Sequence, residues 1–404
     1  MRIANGLTFD GEGFSPRDVF IEGGRFATEA FAREAGGEGG EDVLDASGCY
    51  VIPGLIDVHF HGAMGHDFCD ADAAGVAAIA RYEASRGVTS ICPTTMTLPE
   101  ERLAPIMASI AAHATVQRAA AASRAAEAEG ASASEPSDDS ARREAAILGI
   151  NMEGPFISPG KVGAQNPGYV RGASVEEFSR LQGRAGGLIK IVDVAPEEPG
   201  NIDFIRAVAH DVRVSVAHTC ADYETACAAF DAGAAHLTHL YNAMPGLHHR
   251  KPGPIAAAVE HPSVTPELIA DGVHVRPAMV RLAFQLFGDD RVILISDSLR
   301  ACGLGDGEYE LGGQQFTVRG NRATIANGSL AGSVSDVMRC LRTAVLEMGI
   351  PLASAVKAAS ANPARALGLA GERGTLSAGA IADAVLLDKR TLEVRRVILR
   401  GRAL

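Results

Sequence analysis

Val51-Ile52-Pro53-Gly54-Leu55-Ile56-Asp57-Val58-His59-Phe60-His61-Gly62 is an apolar, strand-forming run that ends in two histidines separated by one residue. Side chains at i and i+2 of a strand share a face, so His59 and His61 converge on one point. Imidazole nitrogen is a favoured ligand for zinc, iron and nickel. A strand that delivers two such groups at its end reads as the opening of a metal site. Two half-buried histidines beside a loop would give the same pattern, so the choice falls to the rest of the chain.

Working outward, seven further apolar runs alternate with Ala- and Leu-rich helical stretches. With the first they are Leu55–His61, Val88–Thr95, Ile147–Glu153, Leu188–Ala195, Val212–His218, Ala235–Tyr241, Pro266–Asp271 and Val292–Asp297. Continuous rather than alternating apolar strands imply a parallel sheet covered by helices, and eight such units give the fold class: α/β, a (β/α)8 TIM-like barrel. The chain ends differ in texture. Val19-Phe20-Ile21-Glu22-Gly23-Gly24-Arg25-Phe26 reads as a hairpin, and Ala382-Asp383-Ala384-Val385-Leu386-Leu387-Asp388 and Val394-Arg395-Arg396-Val397-Ile398-Leu399-Arg400-Gly401 read as short strands. Residues 1–52 and 373–404 are therefore expected to build one small β-sandwich domain, with the barrel at 53–372 inserted between them.

Two segments break the rhythm. A low-complexity insertion near 119–144, rich in Ala, Ser, Glu and Arg, contains Pro136-Ser137-Asp138-Asp139. Its start could continue a helix, and its middle, Glu127–Ala141, is expected to be a mobile surface insertion without chemistry. Gly305–Asn327 is glycine-punctuated and strand-like, which predicts a hairpin excursion near the barrel mouth.

The 404 residues suit one barrel plus a small domain, and 47% hydrophobic residues supply a large core. A net charge of −12 argues against nucleic acid or an anionic membrane as partner. It is compatible with an anionic substrate, because a local basic pocket overrides the global sign. The seven scattered cysteines form no Cys-x-x-Cys pair, which fits reduced thiols. Neither a signal peptide nor a membrane-length apolar run is read, so a cytoplasmic protein is expected.

In such barrels the active site lies where the strands end. These ends carry His59, His61, Glu153, His218, His239 and Asp297. Four histidines and two carboxylates projecting into one bowl are hard to produce without a metal, and such ligands with open positions favour a catalytic divalent ion. His66, His113, His210, His236 and His261 lack the combination of strand end and motif and are read as structural or surface residues. His236, three residues before His239, is expected to face the opposite way.

The opening run and Gly379-Ala380-Ile381-Ala382-Asp383-Ala384 resemble the amidohydrolase superfamily. Within it the chain looks most like the N-acetylglucosamine-6-phosphate deacetylases. The matching pieces are Asn151-Met152-Glu153-Gly154-Pro155-Phe156, Gly163-Ala164-Gln165, Val194-Ala195-Pro196-Glu197 and Ala217-His218-Thr219. They continue with His239-Leu240-Tyr241-Asn242-Ala243-Met244, Arg250-Lys251-Pro252-Gly253, Ala270-Asp271-Gly272-Val273-His274 and Ser329-Leu330-Ala331-Gly332-Ser333.

This resemblance implies a metal-dependent deacetylation of N-acetyl-D-glucosamine 6-phosphate. It implies a principal ion, zinc or iron, held by Glu153, His218 and His239. A second ion could rest on His59, His61 and Asp297 with Glu153 bridging. Asp297 would move protons, the alternative being that it only ligates metal. Gln165 stands where several relatives carry a histidine; its amide can donate to an oxyanion but carries no charge. For the substrate, the resemblance implies Arg250 and His274, backbone groups at Asn242 and Ala243, Ala164 beside Gln165, and an apolar wall at Leu330, Ala331 and Gly332. In this family the arginine reaches a neighbouring subunit's site, which implies a homodimer. Two alternatives are another amidohydrolase, acting on a cyclic amide or a different acylated amino-sugar phosphate, and a catalytically dead barrel that binds a sugar phosphate or serves as an assembly partner.

Overall fold

The computed structural model describes residues 1–30, 42–128 and 143–404. Eight strands form the barrel: β1 (Leu55–Phe60), β2 (Val88–Pro93), β3 (Ile150–Met152), β4 (Ile189–Val194), β5 (Arg213–Val216), β6 (His236–Leu237), β7 (Thr265–Ile269) and β8 (Ile293–Ile295). Strands β3 to β8 pair in succession and in parallel, as do β1 and β2. A parallel bridge between Thr94 and Asn151 joins β2 to β3. The ring closes between β8 and β1, where Asp297 N donates to His59 O at 2.9 Å and His61 N to Ser298 O at 2.8 Å.

The predicted third strand, Ile147–Glu153, is split. Ala146–Ile147 pairs with β2, and β3 pairs with β4. Between them the chain changes partner: Leu148 N donates to Ile91 O and Ile150 N to Leu188 O. N–H groups two residues apart point the same way in a regular strand, so the backbone between Leu148 and Ile150 is irregular.

Helices cover the barrel, and their starts follow from sequence chemistry. Asp72, Ser174, Asp222 and Asp336 each accept from backbone N–H groups of the first turn that follows, satisfying donors that have no partner within the helix. Helix Val337–Leu346 buries Val337, Met338, Leu341 and Ala344, a stripe of helical period turned to the strands. Inside the barrel, Ile56, Val58, Cys92, Ile191, Ile269, Ile293 and Ile295 form an apolar plug. Each such side chain stabilises the fold by about 1.5–3 kcal/mol on burial.

Both chain ends enter one sheet. Strand Cys49–Pro53 pairs in parallel with Leu7–Phe9 and antiparallel with Ala384–Asp388, which continues to Val394–Leu399. A second sheet holds Arg25–Ala27, Val19–Glu22, Arg2–Ala4 and Val43–Asp45. Ile3, Ile21, Phe26, Val51 and Leu386 belong to one buried cluster.

The excursion after β8 is a three-stranded antiparallel sheet, Gly307–Leu311, Gln314–Arg319 and Arg322–Ile325, one strand more than a hairpin. Helix Glu100–Ala128 runs through the start of the low-complexity segment; residues 129–142 of that segment lie outside the described residues. Among the described residues no helix is long and apolar enough to cross a membrane.

Gly54 sits where the small domain hands the chain to the barrel. Its N–H donates to Asp383 O at 2.9 Å, and Leu55 N donates to Gly87 O at 3.0 Å. A Cβ at residue 54 would overlap the buried side chain of Thr89. Gly54→Ala is expected to destabilise the protein by about 1–3 kcal/mol through overpacking. Thermal denaturation of the variant checks this, and an unchanged midpoint would contradict it.

Candidate metal centre

Strands β5, β6 and β8 each stop two residues before a predicted ligand. His218, His239 and Asp297 have φ of 43°, 31° and 48°. This left-handed backbone is costly for non-glycine residues, of order 1–3 kcal/mol each, and collects at functional sites. It ends the ladder and swings each side chain into the barrel mouth. The predicted strands running to His218, Tyr241 and Asp297 were therefore too long. Gly332 meets a related constraint: its φ is 142°, and a Cβ there would press against Asp297 O and Leu299. The backbone can thus pass close enough for Ser333 N to donate to Asp297 O at 2.8 Å.

All six predicted ligands come together around Glu153. Its Oε1 lies 3.1 Å from His218 Nε2, 3.3 Å from His239 Nε2 and 3.5 Å from His59 Nε2. Its Oε2 lies 3.3 Å from His61 Nε2. Asp297 Oδ1 stands 3.3 Å from His61 Nε2 and 3.9 Å from His59 Nε2. Two groups result, Glu153–His218–His239 and His59–His61–Asp297, each with ligand atoms within 4.8 Å of one another. Glu153 touches both.

The donor set fits a cation. His218 Nδ1 donates to Lys161 O at 2.8 Å, so its Nε2 carries a lone pair. That nitrogen is 3.1 Å from His239 Nε2. His59 Nε2 is buried and finds no hydrogen-bond partner among the described residues. The field of the carboxylates shows the same demand for positive charge. Burial opposes charge on His61, but Asp297 and Glu153 outweigh it and push the ring up to about 10. His59 is raised well above the ordinary imidazole value in the same way, with burial opposed by Glu267 and Glu153. Glu153 is held well below the carboxylate range, because the histidines, His59 first, outweigh its burial. A divalent ion supplies the charge that protons otherwise bring.

A cavity of about 570 Å³ opens over the bowl, within the range of small-ligand sites. His61, Glu153, His218, His239 and Asp297 line it together with Ala164, Gln165, Asn242, Ala243, His274, Leu330, Ala331 and Gly332. Arg250 does not line it; it is exposed on the Leu247–Lys251 loop, with Nη1 2.7 Å from His249 Nε2. His274 Nδ1 donates to Asp271 Oδ2 at 2.8 Å. Burial opposes charge on this ring, and Asp271 more than offsets it, raising its pKa.

Gln165 has a task beyond the one expected from sequence. Its Nε2 donates to Glu153 Oε2 at 2.6 Å and faces Met96 Sδ at 3.7 Å, while its Oε1 accepts from Thr97 N at 2.7 Å. One hydrogen of its amide is engaged in holding Glu153, and the residue lines the cavity as well. His236 also departs from expectation. It does not face away: its Nε2 lies 3.0 Å from Glu267 Oε1, and Glu267 Oε2 lies 2.9 Å from His59 Nδ1. Counting strand parity fails here because β6 ends at Leu237 and the backbone turns at His239.

Sequence reasoning missed Glu267. Its signal was a charged residue in the middle of an apolar strand, Thr265-Pro266-Glu267-Leu268-Ile269; ionisable residues are seldom fully buried without a partner.

The fold and these ligand groups define a barrel hydrolase of the amidohydrolase class. The chain matches the Amidohydrolase family over residues 50–404 and belongs to it. The N-acetylglucosamine-6-phosphate deacetylase of Bacillus subtilis is 38% identical over 352 residues, covering 87% of this chain and 83% of that protein. The N-acetylgalactosamine-6-phosphate deacetylase of Escherichia coli O157:H7 is 35% identical over 352 residues, 87% of this chain and 86% of that protein. The N-acetyl-D-glucosamine-6-phosphate deacetylase of Mycobacterium smegmatis, solved as a mutant in complex with N-acetyl-D-glucosamine-6-phosphate, aligns with a TM-score of 0.85. It is 31% identical and covers 100% of this chain and 98% of that one.

Stripping divalent ions with a chelator is expected to lower the unfolding midpoint, and their return to restore it. A ligand at 100 times its Kd adds about 2.7 kcal/mol to stability. Thermal denaturation with and without zinc checks this; identical midpoints would contradict a metal centre.

Proposed function

We infer that this chain is a metal-dependent amide hydrolase that converts N-acetyl-D-glucosamine 6-phosphate and water to D-glucosamine 6-phosphate and acetate. The observation that carries this is Glu153 and three imidazoles, His61, His218 and His239, with Asp297 at their edge, lining the same cavity as His274 and the Leu330–Gly332 segment, while His59 lies buried behind them. Glu153, His218 and His239 would hold the principal ion, zinc or iron, and His59, His61 and Asp297 a second, with Glu153 bridging.

A divalent ion in such a site lowers the pKa of water and polarises a carbonyl. The protein's own groups do the rest. Asp297 takes the proton of the attacking water and delivers it to the departing nitrogen, which an amide requires because its unprotonated nitrogen leaves poorly. Gln165, bonded to Glu153, keeps that carboxylate turned to both groups of ligands. His274, whose charged form Asp271 favours, faces the phosphate, with backbone groups at Asn242 and Ala243 beside it. Ala164, Leu330, Ala331 and Gly332 enclose the acetyl and sugar side.

Arg250, too exposed to reach its own cavity, is proposed to bind the phosphate in a neighbouring subunit's site, which makes the enzyme a homodimer. Arginine's planar fork suits that task. The division into a terminal β domain, 1–52 with 373–404, and a barrel, 53–372, is proposed alongside it. The free cysteines support a reducing, cytoplasmic setting.

An acetate-release assay on N-acetylglucosamine 6-phosphate, with chelated enzyme and single metals restored, tests the activity; its 4-epimer, the galactosamine substrate, is the control for specificity. Release from neither sugar would refute the reading. Asp297→Asn is expected to lower kcat by roughly 10²–10⁴, and a near-wild-type rate would deny the proton transfer. Arg250→Ala is expected to raise KM for the phosphosugar roughly 10- to 100-fold, the range for hydrogen bonds to a charged group. Turnover of the unphosphorylated sugar should stay as it was. Unchanged KM would remove Arg250 from the phosphate site.

A further inference from the structure

Below the ligands a chain of polar groups, buried except for the half-buried Arg213 at its far end, descends into the barrel. Arg213 Nε donates to His236 Nδ1 at 3.1 Å. A guanidinium offers no acceptor, and Thr265 Oγ1, 2.8 Å from the same nitrogen, can donate its hydroxyl to it, so His236 Nδ1 carries its lone pair and the ring hydrogen sits on Nε2. That hydrogen is donated to Glu267 Oε1 at 3.0 Å. Burial also pulls the His236 pKa down, consistent with a neutral ring. The other oxygen, Oε2, accepts from His59 Nδ1 at 2.9 Å and from His239 N at 3.2 Å. His59, His236 and Glu267 are each 0% exposed, so no solvent competes for these bonds.

We propose that Glu267 is a positioning residue that sets the tautomer and orientation of His59, fixing its Nε2 as a metal ligand, while anchoring the His239 backbone of the other ligand group. With the proton held on Nδ1 by Oε2, only Nε2 can present a lone pair toward Glu153 and Asp297. The reverse tautomer would set the His59 Nδ1 lone pair against a carboxylate oxygen 2.9 Å away. His236 and Arg213 hold the carboxylate from below, so its second oxygen cannot rotate away from His59. A carboxylate behind a metal-bound histidine raises its basicity as well as aiming it, and losing such a partner weakens metal binding about 10- to 100-fold.

This inference rests on His59 serving the second ion. Glu267→Gln is nearly isosteric, but its amide has one acceptor end and one donor end, whereas both histidines need an acceptor. His236 cannot change tautomer while Arg213 donates to it, so His59 must yield. Calorimetric titration of the chelated protein with zinc is expected to give two ions for the wild type and a second ion roughly 10- to 100-fold weaker in E267Q. The first, which loses only the backbone hydrogen bond at His239 N, should weaken less than the second. A crystal structure of E267Q should show the His59 ring turned or displaced.

Wild-type ion binding by E267Q overturns the proposal. A wild type that takes one ion refutes the two-ion reading instead, and the E267Q crystal then decides: a displaced His59 supports the positioning role and an unmoved one ends it. If E267Q does not fold, Glu267→Asp keeps the charge but is too short to meet both histidines, and is read in the same way. Failure of both variants to fold makes Glu267 a strut of the barrel and overturns the proposal.

Discussion

One carboxylate, Glu153, organises the centre of this molecule. Four imidazoles reach it from β1 and from the turns after β5 and β6, at 3.1 to 3.5 Å. Burying an unpaired carboxylate is prohibitively costly, and burying four uncommitted imidazoles is costly as well. Each makes the other tolerable, and the arrangement holds best with a cation among them. Much else follows from keeping this cluster intact. Gln165 and Thr97 tie down one side of Glu153, Lys161 O fixes His218, and Glu267 secures His59 from below.

The backbone contributes by breaking its own regularity. A straight strand would send alternate side chains in and out and carry the ladder past the mouth of the barrel. At His218, His239 and Asp297 the chain instead enters a left-handed conformation that these residue types disfavour. The ladder ends there and the side chain is aimed at the centre. The strain is local, and the surrounding barrel, whose closing hydrogen bonds run between β8 and β1, is rigid enough to hold it. This also explains why the loops beyond these points, with Asn242, Ala243 and Gly332, lie against the cavity rather than away from it.

Much of this was written plainly in the chain. Histidines and carboxylates that close apolar runs mark themselves, so His59, His61, Glu153, His218, His239 and Asp297 were legible together with the eight-strand barrel. What was not legible depends on geometry that residue type does not encode. Nothing in His239 announces a positive φ, so the sixth strand was drawn too long and His236 was turned the wrong way. The break in the third strand arises from a change of hydrogen-bonding partner, which appears only once β2 and β4 are both in place. Glu267 hid inside a strand rather than at its end, and its purpose becomes visible only when the ring closes and brings β7 within one strand of β1. Gln165 was found as a residue but not as a contact, because the oxygen it grips lies twelve positions away on a different segment.

The sheet shared by the two chain ends carries a consequence for how this protein is made. Strand Cys49–Pro53 must wait for Ala384–Asp388, roughly 330 residues later, before one of its edges is covered. Synthesis at about 5–20 residues per second leaves that edge open for tens of seconds. An unpaired edge of Val51 and Ile52 is an invitation to aggregation. The first barrel strand begins at Leu55, separated from that strand by Gly54 alone, so the first ligand pair, His59 and His61, emerges directly behind the exposed edge. Final closure of the small sheet is therefore a late, long-range event. The nascent chain is most vulnerable in the interval before its last strands arrive.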